Sequence, residues 1–293
     1  RQRQMCIRDR LRTAFNNGIT QFDLANNYGP VYGSAEANAG RLLAEDFKPY
    51  RDELVITTKA GFDMWPGPYG DYGSRKYLMA SIDQSLKRLG LDYVDIFYHH
   101  RMDTETPLEE TMGALADIVR SGKALYAGVS NYNEEYTRKA SEILKSLHCP
   151  FIVNQRRYSI FDREIEHDGV KYFCKENGIG IIAFSPLAQG LLTDKYMNGI
   201  PEDSRIKRDG RFLKPEAISE AYISKVKALN RIAADRGQTL AQMALSWILK
   251  DEDVCSVLVG ASSPKQIEED AKIVGHTEFE AAELEQINEI VHN

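Results

Sequence analysis

The 293-residue chain has little of what marks a secreted, membrane-spanning or nucleic-acid-binding protein. Its four cysteines, Cys6, Cys149, Cys174 and Cys255, are scattered and form no C-x-x-C pair. That spacing argues against a disulfide framework or a zinc site and fits free thiols in a reducing compartment. No apolar run approaches the roughly 20 residues that cross a bilayer. A formal net charge of −6 excludes a general attraction for nucleic acid or an anionic membrane. The glycines form no G-x-G-x-x-G, so a Rossmann-type dinucleotide site is not indicated. Repeats, low-complexity tracts and linkers are absent too. One cytoplasmic domain, binding neither nucleic acid nor membrane, is the expectation.

What is there is ordinary globular composition, 43% hydrophobic and 27% charged, arranged with regularity. Short apolar runs at 19–25, 54–58, 93–98, 124–129, 151–154, 180–184 and 255–259 read as strands, with helices between them. Leu78, Ile82, Leu86 and Leu89 make one apolar stripe that stops at Gly90. Thr106-Pro107-Leu108-Glu109, Thr239-Leu240-Ala241-Gln242 and Ser263-Pro264-Lys265-Gln266 read as helix-starting caps. Strand–helix alternation of this kind means a parallel sheet. Seven strands are visible, whereas a closed TIM barrel takes eight. The missing one would precede the helix at 11–17, where RQRQMCIRDR shows neither alternation nor a β-branched run. That stretch also lacks the apolar segment of a secretory signal. The expected fold is an α/β (β/α)8 TIM barrel without its first strand. Residues 1–10 would be a tail outside the fold, and 11–293 the barrel domain. A barrel open at that point would be poorly stable, because two strand edges lose their shared neighbour.

Asp23, Tyr28, Lys59 and His100 each sit just past a predicted strand. In a parallel barrel those strand ends converge on one mouth, where such folds put their chemistry. A phenol titrates near ~10. A lysine ammonium beside it would favour the phenolate, and a carboxylate paired to the lysine would fix its position. Lys59, at the inner end of a buried strand, needs a partner, and Asp23 one strand away is the natural one. Singly, Asp23 also reads as a turn cap and Tyr28 as a rim aromatic. Only one of His99 and His100 can face the mouth, since adjacent strand residues point to opposite sides. Two adjacent histidines without a third ligand do not make a metal site.

The loops after the last two strands are where barrels bind phosphate, at a helix N-terminus. Here they are Ser185-Pro186-Leu187-Ala188-Gln189-Gly190, followed by Lys195 and Ser204-Arg205, and Gly260-Ala261-Ser262-Ser263-Pro264. An ordinary capped helix with surface cations is the alternative. Arg75, Lys76 and Arg101 could receive a substrate phosphate, or be solvated surface charge. Trp65 could wall a substrate pocket or simply pack its loop.

FDLANNYG, the lysine of TTKAG, YVDIFYHHRMD, ALYAGVSNY, FSPLAQGLLTDKY and VGASSPKQIEED follow one another over residues 11 to about 290. In this order they resemble the aldo-keto reductases. KAGFDMWPGPYGDYGSRKY and SPLAQGLLTDKYMNGIP are most similar to a bacterial branch acting on L-glyceraldehyde 3-phosphate. The potassium-channel β-subunits form a neighbouring branch. The resemblance implies NADPH-dependent reduction of small aldehydes, L-glyceraldehyde 3-phosphate or methylglyoxal, with NADH less favoured and no metal. It puts Asp23, Tyr28, Lys59 and His100 on the family's catalytic tetrad, with Tyr28 as general acid. Ser130, Asn131 and Gln155 would hold the nicotinamide carboxamide, with Phe184 stacked near the ring. Leu187, Gly190 and Lys195, in the loop that begins Ser185-Pro186, fall on pyrophosphate positions, and Arg205 on the 2′-phosphate position. Ser262, Gln266, Glu269 and Asp270, after Gly260, fall on the adenosine side. Ser263 stands where that branch often has Arg, and Asp270 where Asn is common; a carboxylate still accepts from an adenine amino group. The other implied reading is a regulatory subunit that binds NADP(H) with little turnover. A small aldehyde is the partner implied, and assembly as a homo-oligomer is left open.

Overall fold

The computed structural model describes residues 2–197, 199–202, 204–208 and 213–292, with the backbone alone for 2–6, Arg205 and Arg208. It divides into two compact units: Arg1–Arg156 with Ile165–Ile182, and Arg157–Glu164 with Ala183–Asn293.

The first unit carries β1 (Gln21–Asp23), β2 (Val55–Ala60), β3 (Val94–His99), β4 (Ala124–Ser130) and all but the last residue of β5 (Phe151–Arg157). The helices are α1 (Gln2–Asn16), α2 (Ser34–Leu42), α3 (Arg75–Leu89), α4 (Leu108–Arg120), α5 (Glu134–Ser146), α6 (Glu164–His167) and α7 (Val170–Glu176). Neighbouring strands from β1 to β5 pair in parallel, each with the next in the chain. The strand order continues in sequence through β6 (Gly180–Phe184) to β7 (Val254–Val257). This order, with helices between strands, is that of a (β/α)8 barrel lacking one strand. Among the described residues no strand precedes Gln21. Arg1 lies outside the described residues, and from Gln2 onward the segment expected as a tail is helical, continuous with the helix expected from residue 11. Its backbone contains no glycine or proline to stop it, and Arg8 and Arg12 pair with Glu45 and Asp46.

Packing follows the periodicities. Leu78, Ile82 and Leu89 are buried along α3 with Leu115 and Ile118 of α4 in one core that also holds Ile56 and Val129. Each such side chain contributes roughly 1.5–3 kcal/mol by leaving water. Gly90 takes a left-handed φ of 66° and stops α3 by handing its N–H to Leu86. The capping box at Thr106 does not form: Asp103 instead takes the N–H groups of Glu105 and Thr106, and Pro107 becomes the cap residue. Gly128 gives the room that lets the Tyr98 ring lie across β4, since a Cβ there would stand 2.6 Å from Tyr98.

In the second unit the end of β6 bonds to β7's continuation, Leu258 N–H to the Ala183 carbonyl at 2.8 Å. Its helices are α8 (Arg205–Arg208), α9 (Glu220–Asp235), α10 (Leu240–Ile248), α11 (Pro264–Ala271) and α12 (Ala281–His292). α10 starts with the expected reciprocal box of Thr239 and Gln242. α11 starts at Ser263, whose hydroxyl accepts from Gln266 N–H, while the Gln266 side chain reaches Ser262 rather than Ser263. No described helix is long and apolar enough to cross a membrane.

Candidate active site

Register brings the chemistry of the first unit to one edge of its sheet. Asp23 lies opposite Thr57, Lys59 opposite Tyr98, His99 opposite Val129, and Ser130 opposite Gln155. All of these residues lie toward the C-terminal ends of their strands, although β1 stops at the level of Thr57 and β2 continues to Ala60. Lys59 is fully buried. Its ammonium donates to Asp23 Oδ2 at 2.5 Å and to the Leu24 carbonyl at 2.8 Å. Asp23 Oδ1 accepts from Thr57 Oγ1 at 2.7 Å and from Gln155 Nε2 at 3.0 Å. Without these partners the ammonium would carry a desolvation cost of several kcal/mol. Burial still pulls Lys59 below its ordinary value, against the opposing pull of Asp23 and Glu36.

Tyr28 arrives on the turn after β1. That turn requires Gly29, whose φ is 114° and whose Cβ position would lie 2.1 Å from Ser34 Oγ. The Tyr28 ring meets His100 edge-on at 5.8 Å, and Lys59 Nζ lies 5.4 Å from its centre. Tyr28 keeps 39% of its surface open. Crowding by the surrounding protein, then the charge of Asp23, pushes its phenol well above the ordinary value. This is opposite to the lowering expected from Lys59. The ammonium is taken up by the carboxylate it touches, and at Tyr28 burial, with that carboxylate adding to it, outweighs any lowering. At neutral pH the phenol keeps its proton.

The two histidines go separate ways, as alternation requires. His99, the last residue of β3, is fully buried and joins its Nδ1 to the Tyr132 hydroxyl at 2.7 Å. His100 faces Tyr28 and packs edge-on against Phe62 at 4.7 Å. Burial, then the charges of Lys59, His99 and Arg101, pushes His100 down to about 2, so its ring is neutral. Its Nδ1 is buried without a partner among the described residues.

Ser130, Asn131 and Gln155 join the same cluster. Asn131, at a left-handed φ of 59°, donates from Nδ2 to the His100 carbonyl and to Ser130 Oγ, both at 3.0 Å. Ser130 Oγ donates to the Gln155 carbonyl at 3.0 Å. Trp65 packs on Tyr77 at 5.0 Å. Arg75 pairs with Asp117 at 2.6 Å and Lys76 lies over the Tyr69 ring at 4.4 Å, so neither joins the four central residues. Arg101 is held by Gly61 and Asp71. Sequence reasoning missed Thr57 and Phe62. Thr57 could have been found, two residues before Lys59 and so on the same face of β2; Phe62 carried no local signal.

In the second unit the loop after β6 is shaped by its backbone. Ser185, Ala188 and Gln189 all take positive φ, 56°, 45° and 62°, followed by Gly190 at 97°. Three non-glycine residues in that region within six positions are sterically costly and mark a loop held for use. Phe184 ends β6, Pro186 and Leu187 lie within the loop, and Lys195 sits in a short turn of helix, Asp194–Tyr196. Arg205 opens α8, and its side chain lies outside the described residues. Gly260 has open space around its Cβ position. On α11, Gln266 Oε1 accepts from Ser262 N–H at 3.0 Å and Glu269 pairs with Lys272 at 2.7 Å. Asp270 is buried with an Oδ2 that has no partner among the described residues, and burial, then Glu269, pushes its carboxyl up to about 6.

Strands in barrel order gather an Asp–Lys pair, a phenol and an imidazole, groups able to hold and move a proton, near their ends. Residues 4–292 match the Aldo/keto reductase family, and the chain belongs to it. It is 58% identical over 282 residues to an L-glyceraldehyde 3-phosphate reductase of Escherichia coli O157:H7, and 57% to one of Escherichia coli strain K12. Each comparison covers 95% of this chain and 82% of the relative. The protein is an oxidoreductase, of a family whose reductases use a nicotinamide cofactor.

Proposed function

We propose that this enzyme reduces small aldehydes, of the L-glyceraldehyde 3-phosphate and methylglyoxal type, to alcohols with NADPH. The observation that carries the reading is the buried Lys59–Asp23 pair beneath Tyr28 and His100. A buried ion pair is weak evidence for stability, so its position among proton-handling groups favours a catalytic purpose.

The residues fit a nicotinamide dinucleotide. In the first unit, Ser130, Asn131 and Gln155 carry the hydroxyl and amide groups suited to a carboxamide. In the second, the loop from Ser185 to Gly190 follows β6, one of the places where barrels bind phosphate. Its shape is held by its own backbone bonds, Ala188 N–H to the Ser185 carbonyl and Gly190 N–H to the Leu187 carbonyl. The unpartnered Asp270 Oδ2 suits an amino group of the base. Gly260, Ser262, Gln266 and Glu269 on the adenosine side, and Phe184, Pro186, Leu187 and Lys195 in the nicotinamide and phosphate segments, follow the family pattern. Arg205 is the residue for the 2′-phosphate that separates NADPH from NADH.

Bound, the nicotinamide supplies a hydride to the carbonyl carbon. Tyr28, kept protonated, gives its proton to the carbonyl oxygen as charge develops there. Lys59 contributes a fixed positive charge near that oxygen, and Asp23 holds the ammonium in place with Thr57 and Gln155 behind it. His100, neutral, offers a hydrogen bond that orients the carbonyl. Consumption of NADPH and NADH, followed by absorbance with L-glyceraldehyde 3-phosphate and with methylglyoxal, tests the reading. Turnover with NADPH above NADH is expected. Tight nucleotide binding with no aldehyde-dependent consumption would favour a nucleotide-binding regulatory subunit.

A further inference from the structure

We propose that Arg101 is a positioning residue: it rivets both ends of the 61–73 loop to the end of β3 and thereby sets the wall against which His100 rests. The proposal rests on the reading of His100 as the group that orients the carbonyl. Four contacts made by one side chain carry it. Arg101 Nε donates to the Gly61 carbonyl at 2.8 Å, and its NH2 donates to Asp71 at 2.7 Å. Its guanidinium also lies over the Phe62 ring at 4.5 Å and the Tyr72 ring at 4.7 Å. The first and third contacts fall at the start of the loop, the other two at its end.

Other groups hold the loop as well: the Tyr77 hydroxyl donates to the Phe62 carbonyl at 2.6 Å, Gly73 N–H to Asp103 Oδ2 at 2.8 Å and Thr111 Oγ1 to the Gly73 carbonyl at 2.9 Å. Arg101 alone among these joins both ends, and two positions there are conformationally demanding. Gly61 has a φ of 153°, and a Cβ there would stand 3.0 Å from the His100 nitrogen. Tyr72, a bulky residue, takes a left-handed φ of 67°, which side chains of its kind rarely adopt unless neighbours over-determine it. Arg101 covers the Tyr72 ring, and Asp71, which receives Arg101, also accepts the Tyr72 N–H at 2.7 Å. Within the loop, Met64 N–H bonds to the Gly70 carbonyl at 2.9 Å, so the segment carrying Trp65 is closed on itself. The Phe62 ring, pinned by Arg101 on one side, meets His100 at 4.7 Å on the other. A planar fork that bonds and stacks at once is arginine's alone; lysine, a single point charge, cannot satisfy both ends. The same engagement removes Arg101 from the cations free to meet a substrate phosphate.

The test compares wild type with Arg101→Ala, Arg101→Lys and Asp71→Asn. Steady-state kinetics would use a phosphorylated aldehyde, L-glyceraldehyde 3-phosphate, and an uncharged one, methylglyoxal. Both Arg101 variants should lower kcat about tenfold or more for the two aldehydes alike, because small misplacements of an orienting group are costly. Nucleotide Kd should stay within about twofold, since the change lies in the aldehyde wall. Asp71→Asn should move kcat in the same direction by a smaller factor, and it decides the matter should Arg101→Ala fail to fold. A rise in KM confined to the phosphorylated aldehyde would make Arg101 a substrate-phosphate receptor and overturn the proposal. So would full activity in Arg101→Lys or in Asp71→Asn. Hydrogen exchange of the 61–73 segment separates this idea from the proposed activity, because it needs no turnover. Faster exchange there in Arg101→Ala, with α5 unchanged, supports the rivet even if wild type reduces neither aldehyde; unchanged exchange refutes it.

Discussion

In the first unit Asp23, Lys59, Ser130 and Gln155 lie on strands; Asp23 accepts from both the Lys59 and the Gln155 side chains, and Ser130 donates to the Gln155 carbonyl. In the second, the residues from Ser185 to Gly190 lie in a loop whose backbone, more than its side chains, has the unusual shape. The ionisable groups of both units answer to burial alike: Lys59, His99 and His100 in the first and Asp270 in the second are all pushed toward their neutral forms, the bases by losing a proton and the acid by keeping one. A site made of strand-end side chains is rigid and strongly coupled. A site made of loop backbone tolerates side-chain change but depends on every turn that shapes it.

The sharpest way to break this comparison is to remove one atom from the strand-end cluster. Tyr28→Phe should lower aldehyde turnover by on the order of 10²–10⁴ through loss of the proton donor. Nucleotide affinity should stay within about threefold, because the ring shape is kept. Near-normal turnover in this variant would end the proposed mechanism. Lys59→Met should cost about 3–5 kcal/mol of stability, because it leaves Asp23 without its counter-ion in a largely buried position. Adding Asp23→Asn should recover part of that loss, which urea denaturation of both single variants and the double variant would measure. Simple additivity would mean that the two charges are not coupled.

Acid should act on the two units in opposite directions. Burial pushes His99 down to about 4 and His100 to about 2. The unfolded histidines take up protons below about 6.5 while the folded ones do not. Their contribution is therefore complete above that pH and is lost as pH falls toward the folded values. His100→Asn should flatten this loss by up to about 1.4 kcal/mol per pH unit between roughly pH 6.5 and 4. Asp270, raised to about 6, has the opposite sign: its contribution is present at low pH and is lost as pH rises through about 6. Asp270→Asn should accordingly steepen the acid loss. Melting temperatures measured from pH 7 to 4 check both, and equal slopes in all three proteins would contradict the assignment. Smallest of all, Thr239→Ala should cost about 1 kcal/mol by opening the box at the start of α10, with no change in turnover. Thermal melting and steady-state kinetics of the variant check both, and a drop in kcat would contradict the second expectation.

The strands were legible because parallel, buried strands read as apolar runs bounded by turns, and each of the seven expected runs overlaps an observed strand. The pairing of Lys59 with Asp23 was legible for a related reason: a buried ammonium must find a carboxylate, and only neighbouring strands are near enough. Alternation likewise foretold that His99 and His100 would part. The direction of Tyr28's pKa was not legible, because it depends first on how closely the folded protein crowds the phenol and then on the charge of Asp23. Nor was the fate of Arg101, which a list of cations cannot distinguish from Arg75 or Lys76; Gly61, Phe62, Asp71 and Tyr72 surround it only once the loop folds back. The helical course of residues 2–10 was missed because a short basic stretch has no strong local preference, and Arg8, like Arg12 beyond it, finds its acidic partners Glu45 and Asp46 only in the folded chain. What the amino-acid order determined by itself was periodicity, and with it the strands, their order and the strand-end chemistry. What only tertiary structure decided was which charges met, since Coulomb attraction and desolvation depend on distances of a few ångströms that no spacing along the chain encodes.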